Sequence, residues 1–224
     1  MTSTTEPTTA APNIEGDDRL DQRRWALGVI DVENDFCEGG SLAVDGGAET
    51  ARRIRTWIED APDRWVARFA TADRHPPVLA GHFAEEGQDP DYRSTWPAHC
   101  VAGTPGAELH PNLVRDAHES TLFDVLVEKG QTSAAYSGFE GTTPDGDTLT
   151  NWLRARAVDG VELTGIATDH CVQATAHHAL DAGFAVRIVL DLCAGIDETA
   201  VAKALDALRE RGAEVVTTTE LAAR

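Results

Sequence analysis

A thiol, an amine and a carboxylate of this sequence each follow or end an apolar segment, and together they could form a nucleophilic site. Cys171 falls in the first turn of a helix predicted at 169–183, where the amide dipoles of the helix N-terminus favour a thiolate. Lys129 is one of only two lysines beside 17 arginines, and its compact ammonium could lower the pKa of a neighbouring thiol or carboxyl group. Asp31 could act as the general base toward the thiol.

Each of these residues also has a purely structural interpretation. A buried cysteine is common, a lysine at a strand end can reach water, and an aspartate can cap a turn. Histidine is the usual base for a thiol, but His178 lies about 10 Å beyond Cys171 along the predicted helix axis, and His170 is expected to point elsewhere. We therefore favour a Cys–Asp–Lys arrangement over a Cys–His pair and assign structural roles to the other cysteines, Cys37, Cys100 and Cys193.

A second group of residues could bind a metal ion. Asp73 and His75 are two positions apart on a predicted strand and so face the same way. His82 and His99 follow in the proline-rich stretch 74–121, which holds five of the eight histidines. A carboxylate with two or three imidazoles suits one divalent Zn, Fe or Mn ion and leaves room for water or substrate. The spacing matches no zinc-finger or zincin pattern, so a His-rich surface loop is an equally good interpretation.

Alternating apolar and amphipathic segments predict the elements that position these residues. We predict strands at 25–32, 64–73, 122–129, 161–168, 184–193 and 213–218, and helices at 51–61, 148–158, 169–183 and 198–213. Continuously apolar strands that alternate with helices indicate a three-layer α/β/α fold with a mostly parallel central sheet. Ligands of such sheets bind beyond the C-terminal strand ends, where Asp31, Asp73, Lys129, Cys171 and Asp191 fall.

The length and charge of the chain limit its domain count and its partners. Its 224 residues suit one domain, which we place at 24–224 after a disordered Thr-, Pro- and acid-rich tail at 1–23. The net charge of −19 argues against nucleic acid and anionic lipid as partners. No apolar run approaches the roughly 20 residues of a membrane span, and the N-terminus lacks the features of a signal peptide. We expect a cytoplasmic protein with free thiols and a small-molecule partner.

Four ordered blocks resemble a known family. They are LGVIDVENDFCEGGSLAVDGG (27–47), TWPAHCVAGTPGAELHP (95–111), EKGQTSAAYSGFEG (128–141) and GIATDHCVQATAHHAL (165–180). Together they resemble the nicotinamidases (pyrazinamidases) of the cysteine-hydrolase, or isochorismatase-like, superfamily. The resemblance runs from about Ala26 to Val216 and implies the same α/β fold that the periodicity predicts.

The resemblance also implies a role for particular residues. It implies a catalytic triad of Asp31, Lys129 and Cys171, with the backbone N–H groups of Ala167 and Cys171 as an oxyanion hole. It implies the metal ligands Asp73, His75 and His99, with His82 as a fourth that only some members use. It implies a substrate pocket that contains the aromatic residues Phe36, Trp96 and Tyr136 together with Ile166 and Ala167, which are joined by a cis peptide bond.

The activity implied by this resemblance is the conversion of nicotinamide to nicotinate and ammonia through a thioester, with pyrazinamide as a second substrate, in a monomer or small homo-oligomer. A carbamoyl- or ureido-amidohydrolase of the same superfamily is an alternative, but such members generally lack the Asp-x-His…His set. True isochorismatases lack the nucleophilic cysteine. A non-catalytic metal- or ligand-binding protein on this scaffold is a further alternative, although such a protein needs no thiol, acid and amine together.

Overall fold

The structure is a computed structural model that describes residues 23–114 and 122–224. The tail predicted at 1–23 lies, except for Arg23, outside the described residues, as does His118. Six strands form one sheet, at Trp25–Ile30 (β1), Ala67–Asp73 (β2), Val125–Lys129 (β3), Gly160–Ile166 (β4), Ala185–Ala194 (β5) and Glu214–Val216 (β6).

Five α-helices cover this sheet within the described part of the chain. They lie at Gly47–Asp60 (α1), Leu149–Ala155 (α2), Gln173–Asp181 (α3), Glu198–Glu210 (α4) and Thr218–Ala222 (α5). Short 3₁₀ turns interrupt the irregular stretches, and a π-helical turn at Thr168–Val172 precedes α3. No helix among the described residues combines the length and the apolar character needed to cross a membrane.

The strand order is β3-β2-β1-β4-β5-β6 and every adjacent pair is parallel, which confirms the predicted sheet. Alternate residues of each strand serve opposite faces. Leu27 of β1 packs in a core cluster with residues of α1 and α5, and its neighbour Ala26 packs in a second cluster with residues of α2, α3 and α4. The chain is therefore layered α/β/α, with the centre of the sheet buried on both sides.

Several predicted boundaries are wrong by a few residues, and side-chain capping explains two of these differences. Helix α1 starts at Gly47, before the predicted residue 51, because the Glu38 carboxylate accepts hydrogen bonds from the N–H groups of Gly46 and Ala48, each at 2.8 Å. The last strand ends at Val216 and not at residue 218, because Thr217 caps α5 in a reciprocal arrangement with Glu220. Propensity along the chain does not show these contacts.

The pairing of β4 with β5 is irregular just before the chain enters the candidate site. Leu163 pairs with Ile188 and Gly165 with Cys193, so β5 carries the extra residues and bends there. Gly165 has a φ of +113°, and a Cβ there would lie 2.1 Å from the carbonyl oxygen of Ile30. Only glycine fits at this point, where β4 lies against β1.

We expect Gly165→Ala to destabilise the fold by at least about 2 kcal/mol, since it combines a backbone clash with an unfavourable φ. The matched control is Gly183→Ala, where φ is +85° but no atom lies within 4 Å of an added Cβ. That change should cost only about 1 kcal/mol. Urea unfolding followed by circular dichroism measures both, and equal losses would show that the close approach to Ile30 is unimportant.

Candidate active site

Lys129 joins the acidic residues and the thiol of the site. Its Nζ lies 2.8 Å from Asp31 Oδ2 and 2.6 Å from Asp73 Oδ1, and it donates to the carbonyl oxygen of Ala135 at 3.0 Å. The Sγ of Cys171 lies 3.9 Å from the same nitrogen. Lys129 and Asp31 are fully buried. Because a buried ammonium needs compensating partners, these acceptors hold the amine beside the thiol.

Parallel strand pairing brings these groups together. Asp73 and Lys129 are register partners at the ends of β2 and β3. Asp31 directly follows β1 and has a φ of +47°, a conformation that aspartate tolerates better than most residues. Thr71 holds the Asp31 side chain, because its Oγ1 donates to Asp31 Oδ1 at 2.5 Å and accepts from the Asp31 N–H at 3.1 Å.

Cys171 lies in a π-helical turn, and the predicted α-helix at 169–183 is wrong in its first turn. The N–H of Val172 donates to the carbonyl oxygen of Ala167 at 3.1 Å, a five-residue separation that defines a π turn. Helix α3 begins only at Gln173. The Ile166–Ala167 peptide bond before the turn is cis. Residue types alone do not distinguish a π turn from an α turn here.

The charges in the site determine which groups carry protons. Burial raises the pKa of the Cys171 thiol well above its usual value, and Lys129 only partly offsets this effect. Burial also raises the pKa of Asp31, again against the effect of Lys129. For Asp73, burial is outweighed by Lys129 and His75, which hold its pKa below the usual range. The resting thiol is therefore protonated, so the bias toward thiolate expected at a helix N-terminus is outweighed here by burial.

Glu33 is a fully buried acid that the sequence analysis missed. Its Oε1 accepts a hydrogen bond from the backbone N–H of Asp73 at 2.6 Å. Burial and the nearby charges of Asp31 and Asp73 raise the pKa of Glu33 well above its usual value, which favours the neutral carboxylic acid. Glu33 therefore supports the backbone of a site residue. The only indication of this role in the sequence is that Glu33 lies two residues after Asp31.

The buried histidines His75, His82 and His99 form a cluster in which one ring nitrogen of each lies within 4.8 Å of the others. His75 Nδ1 lies 2.9 Å from the carbonyl oxygen of Gly130, and His99 Nδ1 lies 2.8 Å from that of Pro97. These contacts assign the proton to Nδ1 and leave Nε2 as a ligand atom.

The chemistry of this cluster fits a divalent metal ion. His75 Nε2 is buried without a hydrogen-bond partner, and Asp73 Oδ2 lies 3.5 Å from it. Burial and repulsion from the other imidazoles lower the pKa of His82 to about 4, and burial lowers the pKa of His99. Neutral imidazole is the form that binds metal. All four residues suggested from the sequence are thus close together, including His82.

The thiol and the imidazole cluster open into one pocket. Asp73, His82, His99 and Cys171 line it, together with the predicted residues Phe36, Trp96, Tyr136 and Ala167. The Trp96 Nε1 donates to the Tyr136 hydroxyl at 3.2 Å. Ile166 does not line this pocket but packs in the core. Asp191 is also absent from it, because its carboxylate accepts from the N–H and hydroxyl of Thr218 at the start of α5.

Sequence reasoning missed several neighbours of the site. His170, which we expected to point elsewhere, lines the pocket with its ring centroid 5.3 Å from that of Trp96. Gly130 lies directly against His75, where a Cβ would be 2.4 Å from the ring. The rest of the pocket wall is formed by the apolar side chains of Leu42, Val44, Ala135 and Ile196. Apolar residue types alone do not indicate a functional role. The remaining cysteines, Cys37, Cys100 and Cys193, are free thiols outside the pocket.

Comparison with known proteins identifies related chains. The model of the isochorismatase domain matches residues 26–220. The nicotinamidase/pyrazinamidase of Mycobacterium tuberculosis is 47% identical over 192 residues, which cover 85% of this chain and 97% of that protein. The pyrazinamidase of Pyrococcus horikoshii, solved in complex with zinc, is 34% identical, with a TM-score of 0.70 over 87% of this chain and 99% of that one.

A protein from L. infantum solved in complex with nicotinate is 29% identical, with a TM-score of 0.73 over 88% of this chain and 94% of that one. The family match spans every element from β1 to β6, and the similarity to the M. tuberculosis protein covers most of both chains. The chain therefore belongs to the isochorismatase family, and within it to the nicotinamidase/pyrazinamidase group.

Proposed function

We propose that this protein is a metal-containing cysteine amidohydrolase that converts nicotinamide to nicotinate and ammonia. The observation that carries the proposal is the position of Lys129, which bonds to Asp31 and Asp73 and lies 3.9 Å from Cys171 Sγ. Cys171 lines one pocket with His82 and His99, and the buried amine of Lys129 connects its sulfur to Asp31. Similarity to nicotinamidases and to a nicotinate-bound structure supports the choice of substrate.

The first half of the reaction needs a base because the thiol is protonated at rest. Asp31 removes the Sγ proton of Cys171, and the adjacent Lys129 ammonium stabilises the thiolate. The sulfur then forms a bond to the carboxamide carbon. We assign the stabilisation of the resulting oxyanion to the backbone N–H groups of Ala167 and Cys171. Asp31 returns its proton to the nitrogen as the C–N bond breaks, so ammonia leaves and a thioester remains.

Water completes the cycle by hydrolysing the thioester. Asp31, again ionised, takes a proton from the attacking water, and the carbon–sulfur bond breaks to give nicotinic acid, which loses its remaining proton to solvent and leaves as nicotinate. The thiolate of Cys171 receives the proton held by Asp31 and returns to its resting form. One carboxylate thus serves as base and acid in both halves, while Lys129 keeps a fixed positive charge beside the sulfur.

The residues that would hold the metal ion are Asp73, His75, His82 and His99. When bound there, a divalent ion such as Zn, Fe or Mn supplies a Lewis acid that can hold the ring nitrogen and orient the amide. Phe36, Trp96 and Tyr136 supply aromatic surface for the heterocycle. Pyrazinamide, which also carries ring nitrogens and a carboxamide, is a second expected substrate. We place the reaction in the salvage of the pyridine ring for NAD synthesis.

Ammonia release from nicotinamide tests the proposal directly. A substrate panel of nicotinamide, pyrazinamide and a carbamoyl or ureido amide distinguishes nicotinamidase activity from the alternative, a carbamoyl- or ureido-amidohydrolase of the same family. The imidazole cluster favours the pyridine carboxamides, because an open metal site can bind a ring nitrogen. No release from any amide by the metal-loaded protein would instead support a binding protein on this scaffold.

We expect Cys171→Ala to reduce turnover by at least about a thousandfold, since no other group in the pocket can form the thioester. Cys193→Ala is the matched control, because this thiol lies outside the substrate pocket and should leave turnover unchanged. Mass spectrometry of acid-quenched reactions should detect an acyl adduct on Cys171 in the unmodified protein. Appreciable amidase activity in Cys171→Ala would refute the nucleophile assignment.

We expect His99→Ala to weaken metal affinity at least about 100-fold, since loss of a residue that merely supports a ligand already costs about 10- to 100-fold. His110→Ala is the control, because His110 accepts from the Asn112 N–H and lies outside the cluster. Metal content by plasma emission spectroscopy and titration with a chelator measure the affinity. If KM for nicotinamide stayed constant in His99→Ala while kcat collapsed, the metal would not position the substrate.

The imidazole cluster should make the metal-free protein acid-sensitive. The pKa of His82 is about 4 in the fold against the ordinary 6.5, so between these values the unfolded chain binds more protons than the folded one. The free energy of unfolding should therefore fall as pH drops from about 6.5 to about 4. His82→Asn should flatten this slope in urea unfolding curves. A slope of unchanged steepness would mean that His82 is not the responsible group.

A further inference from the structure

The carboxylate of Asp169 connects the turn of the nucleophile to the loop that follows β5. Asp169 is only 4% exposed. Its two oxygens accept hydrogen bonds from successive backbone N–H groups of that loop, Oδ1 from Ile196 at 3.0 Å and Oδ2 from Asp197 at 3.1 Å. Thr168 adds a third link, since its Oγ1 donates to the carbonyl oxygen of Ala194 at 3.0 Å. None of the chemical steps above uses this carboxylate.

The loop lies directly against the turn because residue 195 has no side chain. A Cβ on Gly195 would lie 2.3 Å from Val201 Cγ2 and 3.3 Å from Asp169 Oδ1. Beyond the loop, Asp197 caps α4, with its Oδ1 accepting from the N–H of Ala200 at 2.7 Å. The loop is therefore fixed at its far end by the cap and at its centre by Asp169.

Two residues of the pocket wall depend on this connection. Ile196 lines the pocket yet is 49% exposed, so it lies at the mouth. His170 lines the pocket as well, and its Nδ1 lies 3.5 Å from Asp169 Oδ1. One buried carboxylate therefore contacts the backbone of one wall residue and the ring of another.

We propose that Asp169 is a positioning residue that sets the width of the pocket mouth by holding Ile196 in place, so that Ile196 selects unsubstituted pyridine and pyrazine carboxamides over ring-alkylated ones. The proposal rests on the proposed amidase function and adds a determinant of its substrate class. A pocket wall that meets one additional methyl group can discriminate by about 10-fold or more, provided that the wall cannot move.

Three variants test this arrangement. In Asp169→Asn, the amide NH₂ cannot accept the hydrogen bond from one of the two loop N–H groups, so the loop should loosen. In Ile196→Ala, the wall itself is shortened. Asp197→Asn is the matched control, because asparagine also caps helices well and the backbone N–H to Asp169 is retained. Steady-state kinetics are measured with nicotinamide and with 5-methyl- and 6-methylnicotinamide.

We expect Asp169→Asn and Ile196→Ala each to raise KM for nicotinamide about three- to tenfold with kcat nearly unchanged. Both should reduce the preference for nicotinamide over at least one methylated analogue, and Asp197→Asn should match the unmodified protein. The double variant should be no worse than Ile196→Ala alone, since Asp169 acts through Ile196. Additive effects, or a loss of kcat at constant KM in Asp169→Asn, would overturn the proposal.

Two further measurements keep the outcome unambiguous. Should Asp169→Asn fail to fold, Ile196→Trp replaces it. This half-exposed position has room for a larger side chain. A narrower pocket mouth should increase the preference for nicotinamide over its methylated analogues. An unchanged preference would refute the proposed role of Ile196. If the unmodified protein releases no ammonia from nicotinamide, the proposed function fails. If it does so and Asp169→Asn behaves like Asp197→Asn, only the present inference fails.

Discussion

The fully buried ammonium of Lys129 constrains the whole site. A charge removed from water is costly unless partners surround it, and here two carboxylates and one carbonyl oxygen provide them at 2.6 to 3.0 Å. Each partner comes from a different part of the chain. The pairing of β1, β2 and β3 must therefore be correct before the amine can be buried, and the site forms only as the sheet forms.

The same constraint separates the roles of the two aspartates. Asp73 contacts both Lys129 and His75 and keeps a low pKa, so its carboxylate stays charged, as the proposed metal site requires. Asp31 has a raised pKa and Thr71 as a fixed hydrogen-bond partner, so it can exchange a proton. Two chemically identical side chains thus do different work because their surroundings stabilise different protonation states.

The positions of the strands, and the ends of β2 and β3, were predictable because a buried parallel strand is a continuous apolar run in the sequence. Asp31, Asp73 and Lys129 follow from that rule. The π turn around Cys171 and the protonated state of its thiol were not predictable, since both depend on neighbours distant in the chain. Glu33 and Ile196 were missed because their contacts depend on the fold. The Glu33 carboxylate accepts a hydrogen bond from the backbone of Asp73, and Ile196 lines the pocket, but neither contact is visible from the residue type.

Burial of the thiol also bears on how the protein tolerates oxidants. Peroxides and alkylating reagents attack the thiolate, and they must reach it. Cys171 is only 7% exposed and its raised pKa keeps the proton on sulfur. In the proposed reaction, the sulfur becomes a strong nucleophile only while Asp31 holds its proton, with the substrate bound above it. The arrangement that makes a base necessary therefore also protects the resting enzyme from chemical inactivation.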